Sequence, residues 1–548
     1  MINRILIIFL IFFANLMATA FESSNLPIIL INTNGREIPD EEKISAEMKI
    51  IWNEDGSRNF IAATTHHYIG KIGIEIRGSS SVYFFPKKQY ALETRDEQEN
   101  NLNVSLLGLP KENDWILHAP YSDKTFMRNV LTYTITRKMG WYASRCKFCE
   151  LILNNQYMGI YILMEKIKRD DNRVDINKLN SDEISGDDLT GGYIIKIDKF
   201  SGENVEGWQS KFTAAPFNNK PVYYQFHDPK YNELADEQIN YIKGKIDYFE
   251  TIMSINNYNE HFDKLINSDS FVDYFLINEW TKNVDGYRLS TFLYKDKDSN
   301  DPRFYAGPIW DYNLAFGNAN YYEGEKIQDW MLDIYLNNYA FQDDSFHPPF
   351  WWHKLWYDEN LHNQAVNRWF DLRRTIFSET SIFSMIDSMA TLLDESQQRN
   401  YERWPNVLGE WIWPNPEGYQ NRKTFLSEVN YLKSWINGRL NWIDANIDFY
   451  NVAIDNEEKF IEKYYLIENY PNPFNAQTVI KVQIPVNQHV NLKILNIKGN
   501  IICTVFKGNL MKGIHYFRFD GSDLASGLYF YQLQTTAKCL SGKAVLMK

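Results

Sequence analysis

The sequence predicts an α+β protein of 548 residues that ends in a small all-β sandwich. Three observations support this fold class. Short apolar runs broken by turn residues, typical of strands, fill residues 25–200. Apolar residues at intervals of three and four, typical of helices that bury one face, dominate residues 233–281 and return from 319 to 450. Beyond a charged stretch, roughly the last 80 residues contain only strand-length runs with Gly and Asn turns. Several structural units are expected, because single cores stop growing near roughly 250–300 residues.

The N-terminus is predicted to be a secretory signal peptide, residues 1–20. Arg4 precedes an apolar run, and Ala18 and Ala20 form an A-x-A cleavage site. The run is shorter than the roughly 20 apolar residues of a membrane span, so an N-terminal anchor is the less favoured alternative. We expect a mature chain without a transmembrane segment.

Two local patterns stand out in the β-rich part. "LILNNQYMGIYILME" predicts a hairpin, because Asn154 and Asn155 separate two apolar runs and Asn tolerates the left-handed conformation. "DKTFMRNVLTYTITRKMG" predicts a helix packed on the sheet, with a polar start at Asp123 and a stop at Gly140. The Trp-rich helices after residue 318 are interpreted as core packing.

The most informative segment is "NVDGYRLSTFLYKDKDSNDPRFYAGPIWDYNLAFGN", residues 283–318. A turn with Asp285 leads into two β-like runs, and Asp311 and Asn313 follow the second run. The two acids therefore return to the ends of adjacent strands, 26 residues apart. If the chain near Asp311 is extended, the side chains of Asp311 and Asn313 face the same way, as ligands of one metal should.

Composition excludes one class of function. Lys and Arg total 57 and Asp and Glu total 70, so the formal charge is −13, and no long basic run occurs. A nucleic-acid-binding protein would carry a basic face, so we expect no nucleic-acid partner. Aromatic residues make up 16% of the chain, which suits both cores and sugar-binding surfaces.

The four cysteines do not indicate a metal site. Cys146 and Cys149 form a lone C-x-x-C without a second ligand pair. In an exported chain a disulfide between Cys503 and Cys539 is the simplest expectation, with the first two as thiols or a strained local bridge.

The chain contains candidates for the groups that phosphoryl transfer requires. These are cations for phosphates, a carboxylate or amide for magnesium, and an acid that orients the attacking hydroxyl. Lys87 and Lys88 open a strand, and Glu165 ends one and is available to pair with a lysine. On spacing alone, turn capping by the acids and a solvated edge for the lysines are the favoured interpretation.

The C-terminal part resembles the type A sorting domain of the type IX secretion system, at residues 464–548. The motifs are "ENYPNPFN", "DLASGLYFYQL" and the basic end "KAVLMK". The resemblance implies export by a Bacteroidota-type Gram-negative machinery that recognises this domain, and a secreted or outer-surface location. An adhesive Ig-like module is the alternative.

Residues 25–455 resemble the CotH family of atypical protein kinases. Matching stretches include "GIEIRGSSSVYFFPKKQYALET", "YMGIYILMEKIKRDDNRVDI", "FLINEWTKNVDGYRLSTFLYKD" and "FYAGPIWDYNLAFGN". The resemblance implies a protein-kinase-like fold that uses ATP and Mg²⁺ or Mn²⁺ to phosphorylate Ser or Thr of a protein. Carried over by motif, the roles are catalytic aspartate for Asp285, metal ligands for Asp311 and Asn313, and nucleotide binding for Lys87, Lys88 and Glu165.

Two departures from the family pattern keep other functions open. Many relatives have a second aspartate where this chain has Asn313, and no G-x-G-x-x-G loop occurs; "RGSSS" is the nearest polar loop. Arg128 and Asn129 also match a family segment and are interpreted as structural. The alternatives are an inactive surface scaffold, a polysaccharide-binding protein, and a carbohydrate-active enzyme that uses Asp285 and Asp311 as its acid pair.

Overall fold

A computed structural model describes most of the chain. The described residues are 21–200, 206–214, 220–255, 258–260, 262–337, 344–449, 467–484, 487–510, 513–535 and 539–548. The predicted signal peptide lies outside them. The predicted α+β class is confirmed, with a β-rich first part, a helical second part and a β-sandwich at the end.

The first part is built around a barrel. Its elements are β1 (Ser23–Ser24), β2 (Ile28–Asn32), β3 (Ile44–Ile51), β4 (Asn59–Phe60), β5 (Tyr68–Arg77), α1 (Ser80–Phe84), β6 (Gln89–Arg95), β7 (Asp114–His118), α2 (Arg128–Met139), β8 (Cys146–Leu153), β9 (Gln156–Glu165) and β10 (Tyr193–Ile197). Seven strands close in the order β2-β3-β5-β6-β7-β9-β8. All neighbours are antiparallel except β2 and β8, which close the barrel in parallel.

Alternate residues of the barrel strands fill its interior, as strand periodicity requires. The buried set includes Met48, Ile74, Leu92, Trp115 and Leu163. The opposite faces of β7, β8 and β9 bury their side chains with α2 in the larger core of the helical part. The barrel and the helices therefore share a packed interface.

Two local predictions in this part are confirmed. Asn154 and Asn155 join β8 to β9 with φ of 49° and 63°, the paired left-handed conformation of a tight hairpin turn. Gly140 ends α2 in the left-handed conformation with φ of 106°. The helix itself begins at Arg128 rather than at Asp123, whose carboxylate accepts the Arg128 N–H at 2.9 Å.

The second part combines a sheet with seven helices among the described residues. Its elements are β11 (Gly207–Thr213), β12 (Pro221–Asp228), α3 (Asp236–Ser254), α4 (Ser268–Thr281), β13 (Thr291–Lys295), β14 (Tyr305–Ala306), α5 (Met331–Asn337), α6 (Phe350–Trp356), α7 (Glu359–Arg373), α8 (Glu379–Arg403) and α9 (Phe425–Asn446). Together with β10 the strands form an antiparallel sheet in the order β11-β12-β10-β13-β14. The core interpretation of the Trp-rich helices is confirmed, because Trp351, Trp352, Trp356 and Trp369 are buried.

The C-terminal part is the predicted sandwich. Its strands are β15 (Ile467–Tyr470), β16 (Gln477–Ile484), β17 (Gln488–Leu495), β18 (Ile501–Leu510), β19 (Gly513–Asp520), β20 (Gly527–Gln534) and β21 (Cys539–Leu546). They form one sheet in the order β15-β16-β19 and a second in the order β18-β17-β20-β21. Among the residues described, no helix is long and apolar enough to cross a bilayer.

The first and the last of the three sequence motifs of the sandwich, "ENYPNPFN" and "KAVLMK", contact each other. The Asn472 side chain donates to the Lys543 carbonyl at 2.7 Å and accepts the Val545 N–H at 2.8 Å. Phe474 is buried, and its backbone N–H donates to the Val545 carbonyl at 2.8 Å. The "YPNPF" motif is therefore hydrogen-bonded to the last strand through Asn472 and Phe474.

The predicted disulfide is wrong, because all four cysteines are free thiols. Cys503 lies on β18 and Cys539 on β21, at opposite edges of the four-stranded sheet. Three strand spacings separate them by roughly 14 Å. A disulfide needs Cα atoms within about 7 Å.

Candidate active site

An antiparallel strand pair brings the two predicted acids to the same end of the sheet. Asp285 lies in the turn between α4 and β13, and Asp311 follows β14, which pairs with β13. The Asn283 side-chain amide donates to the Asp311 carbonyl at 3.4 Å. Burial and the negative charge of Asp285 raise the pKa of Asp311.

The start of α2 fixes the loop that carries Asp311. The Asp311 N–H donates to the Tyr133 hydroxyl at 3.0 Å, and the Tyr312 N–H donates to the Asn129 side chain at 2.6 Å. Arg128 donates from Nε to the Ala315 carbonyl at 2.9 Å. Arg128 and Asn129 therefore have a structural role, because both hold the loop that carries Asp311.

The predicted common orientation of the Asp311 and Asn313 side chains assumes an extended chain, and this assumption is wrong. Asp311 has φ of 60°, a left-handed conformation, so the chain is not extended and strand alternation does not apply. The Asn313 carbonyl accepts the Asn318 side-chain amide at 2.8 Å. Its own side chain is partly exposed, and its role as a metal ligand stays a prediction.

Charged residues that the sequence analysis missed surround Asp311. Burial, Asp285 and Asp198 raise the pKa of Asp311 to about 7, while Arg77 and Lys199 act in the opposite direction. Arg77 ends β5, and Asp198 and Lys199 follow β10 directly. The only signal in the sequence is that each charge closes a predicted apolar strand, in "GIEIRG" and "YIIKIDK".

Both ends of this charged group are anchored. The Arg77 guanidinium lies over the Trp310 ring at 5.7 Å, and Lys199 Nζ donates to the Ser80 hydroxyl at 3.3 Å. Asp285 accepts from Arg288 Nη2 at 2.8 Å, and Arg288 Nη1 also contacts Asp344 at 3.2 Å. The Asp285 side chain is 19% exposed, so it stays accessible to a molecule in solvent.

The acids do not form a complete protein cage for a metal. Within the described part of the chain, no group of three or more His, Cys, Asp or Glu side chains is arranged to bind a metal ion. Magnesium usually takes one or two carboxylates and completes its shell with water and substrate phosphates. The residues present fit that partial ligand set.

Lys87 is buried and its ammonium group bonds to other parts of the protein. It is 1% exposed, and its ammonium donates to the Ile160 carbonyl at 2.5 Å and to the Asn400 side chain at 2.9 Å. Asn400 lies on α8, so Lys87 joins the barrel to a helix of the second part. Contact with a nucleotide phosphate would require this ammonium to leave both hydrogen bonds.

The predicted pairing of Glu165 with a lysine is wrong. Glu165 is buried at the end of β9 and accepts from Arg145 Nη1 at 2.9 Å, because Arg145 lies directly opposite it. Lys88 Nζ instead donates to the carbonyls of Val82 at 2.5 Å and Phe85 at 2.8 Å, at the end of α1. The three residues predicted to bind nucleotide therefore do not form one group.

Replacement of Lys87 by Met is expected to change the pH dependence of stability. Burial lowers the pKa of Lys87 to about 7, so between pH 7 and 10.5 the unfolded chain binds a proton that the folded chain releases. The buried Lys87 ammonium therefore lowers the free energy of unfolding by its full amount below pH 7. This destabilisation decreases as the pH rises from 7 to 10.5. Relative to Lys87→Met, the wild type should gain about 3 kcal/mol in free energy of unfolding between pH 7 and 9.5, measured by urea titration. A difference independent of pH would contradict this.

A cavity lies behind the Asp311 loop and not at the acids. It has a volume of about 260 Å³ and is lined by the end of α2, part of α4 and residues 306–309. Asp285, Asp311 and Arg77 do not line it. The charged group at the strand ends, and not this cavity, carries the features that chemistry needs.

Comparisons with known proteins match both parts of the chain. A family model described as CotH kinase protein matches residues 74–443, and one described as secretion system C-terminal sorting domain matches residues 468–547. Both resemblances drawn from the motifs are confirmed. The sorting domain indicates export to a secreted or surface location and contact with the secretion machinery.

Other comparisons add little. No curated protein matches the chain. Among solved structures, Pseudomonas fluorescens alkylpurine DNA glycosylase AlkC bound to DNA containing an abasic site analog is 12% identical, with a TM-score of 0.12. The match covers 40% of this chain and 64% of that chain, less than two thirds of its length. A TM-score this low says nothing about the fold or function of this chain.

Proposed function

Because this chain belongs to the CotH kinase protein family, we propose that it is an exported protein kinase. The proposed reaction transfers the γ-phosphate of ATP to a Ser or Thr of a secreted or surface protein. The observation that carries this proposal is the meeting of Asp285 and Asp311 at one end of the β13–β14 pair. We also infer that the barrel and the helical part correspond to the two lobes of a kinase-like fold.

Asp285 is proposed to orient the acceptor hydroxyl and to accept its proton. A residue in this role must be accessible and held in one orientation. Asp285 is partly exposed and is bonded to Arg288, which Asp344 holds from the other side. The guanidinium fixes the carboxylate by one oxygen, Oδ1, which leaves Oδ2 for the substrate.

Asp311 is proposed to bind Mg²⁺ or Mn²⁺, with the Asn313 side-chain oxygen as a second ligand. When bound, the metal supplies positive charge that neutralises the phosphate oxygens. The fit rests on the raised pKa of Asp311, because burial and two neighbouring acids destabilise its charge and a cation would relieve that cost. An amide in place of a second carboxylate lowers the negative charge, so we expect weak metal binding.

Arg77 and Lys199 are proposed to contact the phosphates in place of Lys87 and Lys88. Arg77 lies over Trp310, the residue before Asp311, and Lys199 follows β10, which pairs with β13. Arg77 presents a planar fork of donors that suits phosphate oxygens. The ammonium groups of Lys87 and Lys88 are engaged with backbone carbonyls elsewhere.

A second function, an inactive scaffold, is favoured by one observation. Asp285 is ion-paired with a buried arginine, which occupies one of its two carboxylate oxygens. A scaffold of this kind would bind its partner, a protein or a polysaccharide, without transferring phosphate. Metal dependence separates the two functions.

Metal removal is the direct experiment. The full mature chain is incubated with γ-labelled ATP and Mg²⁺ or Mn²⁺, with and without excess EDTA. We expect EDTA to lower label incorporation at least about 100-fold, because metal stabilisation of the transferring phosphate is worth several kcal/mol. Added Mg²⁺ should restore incorporation. No labelling with either metal, while the chain stays folded, would favour the scaffold.

A further inference from the structure

An exposed group of aromatic residues extends away from the candidate site. Tyr83 and Phe84 lie on α1 and are 86% and 51% exposed. Trp411, between α8 and α9, is 49% exposed, and Trp413 two residues later is partly exposed. Side chains of this size normally lie in a core, and exposed apolar patches mark binding surfaces.

The rings contact one another in sequence. Phe84 lies nearly parallel to Trp413 at 4.8 Å, and Tyr83 meets Phe84 edge-on at 5.2 Å. On the other side, Tyr321 lies parallel to Trp413 at 6.2 Å. We call Tyr83, Phe84, Trp413 and Tyr321 the aromatic row. It bridges the barrel part, through α1, to the helical part.

The inner end of the aromatic row lies beside Asp285. The Tyr321 ring meets the Tyr322 ring edge-on at 5.0 Å. The guanidinium of Arg288, which pairs with Asp285, lies over the Tyr322 ring at 5.5 Å. The next residue, Tyr322, donates to Asp344 at 2.7 Å, and Asp344 contacts the arginine that holds Asp285. A molecule lying on the aromatic row would therefore reach the proposed catalytic carboxylate.

The packing of the rings indicates which kind of molecule fits. A sugar binds by laying its ring against a free aromatic face, but Phe84 and Tyr321 each cover part of a Trp413 face. The apolar surface that remains, mainly the exposed parts of Tyr83 and Phe84, suits proline, aliphatic and aromatic side chains of a peptide. Each ring step of 4.8 to 6.2 Å is spanned by about two residues of an extended chain, which advances about 3.3 Å per residue.

We propose that the aromatic row is the docking surface for the acceptor polypeptide. It selects segments that carry a proline, aromatic or branched aliphatic residue within about six residues of the phosphorylated Ser or Thr. This proposal rests on the proposed kinase function for the identity of the acceptor. The docking itself does not depend on phosphate transfer.

A peptide array tests the docking. Fifteen-residue peptides with a central Ser, each varied to all residue types at one position, are probed with the labelled full mature chain. The variants are Tyr83→Ser and Phe84→Ser, whose exposed side chains leave the core intact. The matched control is Tyr248→Ser, an aromatic residue 55% exposed on α3. Asp285→Ala is probed in parallel.

Wild type should bind peptides with apolar residues at least about 5-fold better than peptides with polar residues at the same positions. Tyr83→Ser and Phe84→Ser should lose that preference, while Tyr248→Ser and Asp285→Ala keep it. Equal binding by wild type and both row variants would overturn the proposal, as would binding to a glycan array in place of peptides. Retained preference without any phosphate transfer by wild type would refute the kinase function and leave the docking surface standing.

Discussion

Asp285→Asn lowers phosphate transfer by about 100- to 10,000-fold if Asp285 accepts the proton of the acceptor hydroxyl, the range that general bases contribute. Asparagine keeps the size of the side chain and an oxygen for the bond from Arg288, which is 2.8 Å from Asp285. Only the charge and the proton-accepting oxygen are lost. Initial rates of label transfer from ATP, at saturating magnesium, measure the effect.

Asp344→Asn is the matched control for this substitution. Asp344 contacts the same guanidinium at 3.2 Å and is exposed to a similar extent, 18% against 19%. Its replacement removes the same charge from Arg288 without touching the proposed base, so transfer should fall less than about 10-fold. Equal losses in the two variants would assign the effect to the arginine, and an unchanged rate in Asp285→Asn would remove the catalytic role.

Arg128→Met is expected to destabilise the fold by about 3–5 kcal/mol, the cost of breaking a buried ion pair by removing one partner. Arg128 is 1% exposed and pairs with Asp123 at 2.5 Å. It also donates to the carbonyls of Ala315 and Phe316, in the loop that follows Asp311. Methionine fills similar space but leaves the buried Asp123 carboxylate without its cation and the two carbonyls without the guanidinium donor. Urea unfolding measures the loss.

Two comparisons isolate the cause. Arg374→Met removes an exposed arginine that pairs with Asp371, with side chains 69% and 63% exposed, and should cost no more than about 1 kcal/mol. The double variant Asp123→Asn, Arg128→Met removes the orphaned charge and should recover part of the stability. A double variant as unstable as the sum of the single variants would show that the ion pair is not the reason.

Local features of the fold were predictable because their causes are local. The hairpin at Asn154 and the end of α2 at Gly140 each depend on one residue that tolerates left-handed backbone. The meeting of Asp285 and Asp311 was also predictable, because one short antiparallel hairpin separates them.

The features that the sequence did not reveal depend on contacts between distant segments. Periodicity does not say which strands become neighbours, so the parallel closure of the barrel by β2 and β8 was invisible. Arg77 and Asp198 reach Asp311 from strands that belong to different sheets. Asp311 is held in its left-handed conformation with help from Tyr133, 178 positions earlier, whose hydroxyl accepts the Asp311 N–H.

The bond between Lys87 and Asn400 has a consequence for the order of folding. It joins residues 313 positions apart, and Asn400 also accepts the Ile160 N–H of the barrel wall at 3.1 Å. Until α8 has been synthesised, the Lys87 ammonium keeps the Ile160 carbonyl as an acceptor but lacks the Asn400 side chain, and the Ile160 N–H lacks its partner. A fragment that stops before α8 is therefore expected to leave polar groups of the barrel wall unpaired and to aggregate more readily than the full chain.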